Sequence, residues 1–153
     1  MNTSRISDLT AVLAAFATGP IQSGRAVQLI TRLSALDWLS VGRAGAGEPV
    51  AQILRDQALA DGGAGQALVF GCNVALPARA AAMVNGTTGH ALDYDDTHFA
   101  HIGHPSVAVI PAALSVAQAI DANGDMLNDA ALVGTEASIA VGVWLGRGHY
   151  QIG

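Results

Sequence analysis

Apolar residues recur at helical spacing along nearly the whole chain. Ile6, Leu9, Val12, Leu13 and Phe16 fall three or four apart, the period of one face of an α-helix. Ser4 or Ser7 stands in place to cap that helix, and Gly19-Pro20 to stop it. A second helix is predicted over 23–42 on Val27, Leu29, Ile30, Leu33, Leu36, Trp38 and Leu39, and the Gly-rich stretch 42–49 breaks it. A short amphipathic helix over 50–60 ends at Gly62-Gly63. Residues 66–74 read equally as a short buried strand or an extended loop. Pro77 is placed as the first residue of a helix to about 92, and Pro105 of one to about 120, with Pro111 in its second turn. Residues 121–124 form a turn, and a last helix covers about 127–145. The pattern predicts an all-α chain. At 153 residues it can bury one real core, and no repeat or linker divides it.

Composition narrows the picture. The chain is 51% hydrophobic and 12% charged, about half the usual charged share, so it is not disordered. It is apolar enough that part of its surface is expected to lie under another domain or subunit, with self-association when left bare. Net charge is −5; all seven basic residues are Arg and none cluster, which argues against nucleic acid as a partner. The single Cys72 excludes an intrachain disulfide and an all-Cys metal site. It fits a cytoplasmic location, and we expect it to be a buried small residue, not a nucleophile. Residues 130–146 are apolar but short for a membrane span and interrupted by Glu136, which must then be paired or face an interface. Residues 9–18 resemble a signal-peptide core, but Asp8 sits where positive charge belongs. No membrane partner is expected.

Chemistry is concentrated in one stretch. Residues 85–106 read NGTTGHALDYDDTHFAHIGHPS, so Asp93, Asp95 and Asp96 lie among His90, His98, His101 and His104. If the preceding helix runs through them, Asp93 and Thr97, four apart, share one face with Asp96 on the flank. Three crowded carboxylates raise at least one pKa and make an acid or base for neutral pH. A helix starting at Pro105 would favour an anionic ligand beside His104, and Thr97 could donate to a substrate carboxylate or hydroxyl. Three readings stand open: an acid/base site on Asp93 and His104, a metal site on His98, His101 and His104 at spacing three, or Asp95 and Asp96 as a helix C-terminal or loop network with the histidines solvated.

The segment from Asn85 through HALDYDDTH, followed by HPSVAVIPAALSVAQ, resembles the MmgE/PrpD family, which includes 2-methylcitrate dehydratase, cis-aconitate decarboxylase and iminodisuccinate epimerase. The likeness extends to LDWLSVGRAG, to PARAAAMVNGT and to residues 124–146. It implies the N-terminal part of a large helical domain, within a longer protein that also has a smaller α+β domain and forms homodimers. It implies cofactor-free and metal-free proton abstraction next to a carboxylate on small di- or tricarboxylates, with loss of water or carbon dioxide or with inversion. It places Asp93, Thr97 and His104 at the active site. Beside the resemblance, Asp96, His90 and Asn85 are candidate substrate-binding residues by position: Asp96 binds substrate or holds the loop, and His90 orients Asp93 or is a core histidine. Gly86 is expected to permit close helix packing, and Tyr94 and Phe99 to pack.

The chain departs from the family's needs at one point. A polycarboxylate needs cations to hold it, yet there is no Lys and no Arg within ten residues of Asp93 or His104. The resemblance implies a further His, a Lys and a Tyr from later sequence. His149 precedes the place where that His is expected and is read as structural or exposed. Residues 147–153 carry no polar tail or cap. We therefore expect a fragment of a longer enzyme, catalytically incomplete by itself, or a non-catalytic interaction module.

Overall fold

A computed structural model describes residues 3–148 and 151. Among them lie six helices and one minimal β-ladder: α1 Thr3–Thr18, α2 Arg25–Gly45, α3 Pro49–Asp61, β1 Ala67–Leu68, β2 Ala75–Leu76, α4 Ala78–His90, α5 Pro105–Ala119 and α6 Gly124–Leu145. The chain is all-α in architecture. His149 lies outside the described residues.

Most helix starts follow from fixed local chemistry. Pro49 and Pro105 sit in the first turns of α3 and α5, where a missing N–H costs nothing. Asn123 caps α6, its side chain accepting the Met126 N–H at 2.9 Å, so that helix begins one turn before the expected 127. Pro77 is the residue ahead of α4, not its first. α1 is already helical at Thr3, so neither Ser4 nor Ser7 precedes it.

The stops differ more from expectation. α2 runs through Gly42 to Gly45 instead of breaking at 42. Its glycines serve close packing: a Cβ on Gly42 would lie 2.3 Å from the Phe70 ring, and one on Gly45 2.4 Å from the Thr88 carbonyl. α4 ends at His90, short of the predicted 92. Within 66–74, only Ala67–Leu68 is strand, pairing antiparallel with Ala75–Leu76. The connection turns at Gly71, with φ 83°, a conformation that suits glycine.

Two apolar clusters hold these elements. Ala58, Val69, Leu76, Ala81 and Val84 fill the space among α3, the β-ladder and α4. Trp38, Ile110 and Ala131 join α2, α5 and α6, and the Trp38 and Phe70 rings meet at 5.2 Å and 56°. α4 packs most extensively on α5. At that crossing a Cβ on Gly86 would stand 3.0 Å from the Val107 carbonyl and 3.5 Å from Pro111, so Gly86 does permit close helix packing.

The outer faces stay apolar. Leu29, Ile30, Leu33 and Leu36 on α2, and Val143, Trp144 and Leu145 on α6, are exposed. Tyr94 and Phe99, expected to pack, are among the most exposed side chains, at 75% and 84%, because the loop that carries them projects them outward. Glu136 is exposed and so needs no partner to stay charged. Cys72 is only half-buried, its thiol 3.6 Å from the Val74 carbonyl. No helix among the described residues is long and apolar enough to cross a membrane.

Candidate functional site

The acidic, His-rich stretch is not helical. Residues 91–104 form an irregular connection from the end of α4 to the start of α5. Asp93 adopts φ 55° and Ile102 φ 54°. Asp visits this left-handed region more readily than most residues, and acidic side chains are unfavourable at a helix C-terminus. Asp93 and Thr97 therefore do not share a helix face, contrary to the spacing argument.

The loop divides its polar residues into three groups. The first is a tight turn. The His98 N–H donates to the Gly103 carbonyl at 2.9 Å, the Ile102 N–H to the His98 carbonyl at 2.8 Å, and the His101 N–H to His98 Nδ1 at 3.2 Å. The His101 ring is pressed against Gly142 of α6, with Nδ1 buried and unpaired. His98, His101 and His104 thus do not converge, and the metal set proposed from their spacing does not form.

The second group fastens α5. The Ser106 N–H donates to Asp96 Oδ1 at 3.2 Å, and the Ser106 hydroxyl donates to Oδ2 at 2.5 Å. Pro105 has no N–H, so the negative group at this helix start is the protein's own Asp96. Thr97 is exposed and lines a cavity of about 290 Å³ with Thr31, Ser34, Thr135 and Glu136, a cavity to which Asp93 and His104 do not contribute. Asn85 is buried at 3% exposure. Its Oδ1 accepts the Phe70 N–H and its Nδ2 donates to the Leu68 carbonyl, both at 2.9 Å. Both ends of its amide are committed to the β1 segment, away from the loop.

The third group is the centre. His90 ends α4, His104 precedes α5, and Asp93 and Asp95 lie between them in sequence. The Asp95 side chain is fully buried. Its Oδ1 is 2.8 Å from His90 Nδ1. His104 Nδ1 is 3.1 Å from the Asp95 main-chain carbonyl and 3.4 Å from Asp95 Oδ2. The second distance is in ion-pair range, but Oδ2 makes no hydrogen bond. On the other side of the ring, His104 Nε2 stands 3.6 Å from Asp93 Oδ1. The two imidazoles meet edge to face at 5.0 Å. Asp93 is 77% exposed and His104 28%, so this end of the cluster is open to a ligand.

His90, predicted to orient Asp93, instead addresses Asp95 through its ring; its contact with Asp93 is the main-chain bond from the Asp93 N–H to the His90 carbonyl at 3.1 Å. Asp95, which the sequence places only in a helix-end or loop network with Asp96, stands between the two histidines. The clue was electrostatic: with no Arg nearby, a carboxylate among histidines is matched to imidazole.

Ligating atoms of His90, Asp93, Asp95 and His104 lie within 4.8 Å of one another, close enough in principle for a divalent ion. Both Nδ1 atoms, however, are turned to Asp95, and binding an ion through them would first break those pairs. The only Arg ion pair among the described residues, Arg32 with Asp125 at 3.4 Å, lies elsewhere.

Residues 8–152 match the family model for the MmgE/PrpD N-terminal domain. No curated protein matches the chain.

Proposed function

The chain belongs to the MmgE/PrpD family, and on that premise we propose that it supplies one wall of a cofactor-free acid/base site for small di- and tricarboxylates. The chemistry is removal of a proton next to a carboxylate, with 2-methylcitrate dehydration as the default reaction and cis-aconitate decarboxylation or iminodisuccinate epimerisation as alternatives. The observation that carries the reading is the approach of His104 Nε2 to Asp93 Oδ1 at 3.6 Å, with Asp93 exposed. A dehydratase must take a carbon proton and return one to the departing hydroxyl, and two adjacent groups that exchange protons meet that need. Thr97 and Asp96 are secondary candidates for substrate contact; Asp96 is already engaged with Ser106.

A second reading, a non-catalytic interaction module, is favoured by two observations. No described Arg forms an ion pair with the cluster, and large apolar side chains of α2 and α6 stand exposed.

A chimera separates the two. Residues 8–152 would replace the corresponding domain of an active family lyase, which then provides the missing cationic groups. The enzyme reading expects turnover of a small polycarboxylate that falls at least about 10²-fold in both Asp93→Asn and His104→Gln. A folded chimera inactive on all such acids would reject it.

A further inference from the structure

His104 has two ring nitrogens, and only one can carry the proton of the neutral imidazole. We infer that Asp95 is the positioning residue of this cluster, holding His104 with its proton on Nδ1 so that Nε2 is the atom left to exchange protons at Asp93. The inference rests on the acid/base reading above and adds the atom and the residue that fixes it.

Three oxygens of Asp95 carry the argument. Its main-chain carbonyl, 3.1 Å from His104 Nδ1, can only accept, so Nδ1 must be the donor. Oδ2, 3.4 Å from the same nitrogen and buried without a hydrogen bond, adds a negative charge on that side and nothing on the Nε2 side. Oδ1, 2.8 Å from His90 Nδ1, imposes the same tautomer on the second ring. Two imidazoles and no guanidinium thus face a fully buried carboxylate, which needs hydrogen-bond donors where it sits. The role resembles that of any carboxylate behind a working histidine: it sets the tautomer and orientation and does not itself touch the ligand. Asp95 differs in holding two rings with one side chain and doubling the hold on His104 through its backbone.

That doubling makes the test specific. Long-range ¹H–¹⁵N spectra of the labelled, ligand-free chain report which ring nitrogen is protonated, with assignments from His90→Gln and His104→Gln. In the parent protein both neutral rings are expected in the Nδ1–H form. In Asp95→Ala, His90 loses its only acceptor and shifts to the Nε2–H form that free histidine favours, while His104 stays Nδ1–H on the main-chain carbonyl. In Asp95→Asn the amide oxygen can take the place of Oδ1 at His90, so His90 is expected to stay in the Nδ1–H form, which separates loss of the acceptor from loss of the charge. An Nε2–H form of His104 in the parent protein overturns the inference, as does an unchanged His90 in folded Asp95→Ala. If neither variant folds, the parent spectrum alone decides. The measurement needs no substrate, so an inactive chimera with the expected tautomers rejects only the lyase reading, whereas an active chimera with His104 in the Nε2–H form rejects only this one.

Discussion

Asp96 holds the first turn of α5 through Ser106, accepting both its main-chain N–H at 3.2 Å and its hydroxyl. Ser106 is almost fully buried, at 1% exposure, and the bond joins the middle of the irregular connection to the second residue of α5. It therefore caps a helix and closes the part of the connection from Asp96 to Ser106 that bears His98, His101 and His104. Capping side chains contribute about 0.5–2 kcal/mol, and leaving a buried hydroxyl unpaired costs about 1–3 kcal/mol. Asp96→Ala is expected to lower the unfolding free energy by about 2–3 kcal/mol in urea titrations, and Asp96→Asn by less. An unchanged midpoint in Asp96→Ala would show that the cap contributes nothing.

Gly142 and His101 set a second expectation. A Cβ on Gly142 would lie 1.7 Å from His101 Nδ1, far inside contact. Gly to Ala in a helix interior ordinarily gains about 1 kcal/mol. Here the ring must leave its place, and overpacking costs about 1–3 kcal/mol. The net effect of Gly142→Ala is destabilising, and His101→Ala in the same chain recovers part of the loss, a coupling that a double-mutant cycle measures. Gly124, with nothing within 4 Å, supplies the contrast: Gly124→Ala gains up to about 1 kcal/mol. Additive effects of Gly142→Ala and His101→Ala would refute the contact.

Trp38 is wholly buried among Phe70, Ile110 and Ala131, and its indole Nε1 has no hydrogen-bond partner. Two opposed terms meet in one side chain. Truncation to Ala loses the packing of a large aromatic, about 3–5 kcal/mol, and is expected to unfold a marginal domain at ambient temperature. Trp38→Phe leaves a smaller void and removes an orphan donor whose burial costs about 1–3 kcal/mol. It should therefore cost much less than Ala, which thermal melts followed by far-UV circular dichroism will rank. Equal losses in the two variants would mean that the buried N–H carries no penalty.

The helices were legible in the sequence because their apolar spacing and prolines act locally: Pro49, Pro105 and the Asn123 cap start helices within a turn of where the pattern puts them. What failed to read was tertiary. Gly42 looks like a helix stop until the Phe70 ring occupies the space beside it. Asp93 and Thr97 look helical until the chain turns at a left-handed Asp93, which spacing arguments cannot foresee. In the candidate site, the structure brings Asp93 and His104 together. It separates Thr97 into another cavity and gives Asn85 to the β1 backbone. Asp95 was legible only as part of a loop network, because burial is a property of the folded loop, and its neighbours Asp93 and Asp96 carry the same side chain.

The charge of the cluster yields the last expectation. Asp93, Asp95 and Asp96 crowd a site to which no described Arg is paired, and a di- or tricarboxylate brings further negative charge to it. Two carboxylates at about 4 Å repel by about 1 kcal/mol in bulk water and about 4 kcal/mol near a protein surface. A single such contact therefore weakens binding by about fivefold to 10³-fold. The purified chain alone is expected to turn over neither 2-methylcitrate nor cis-aconitate and to bind citrate only weakly by calorimetry. Asp93→Asn, which removes the exposed charge, should tighten citrate binding without producing turnover, and high salt should narrow the difference between the two proteins. Turnover by the purified chain that disappears in Asp93→Ala would overturn the argument, because the cluster would then be working without the cations that its charge demands.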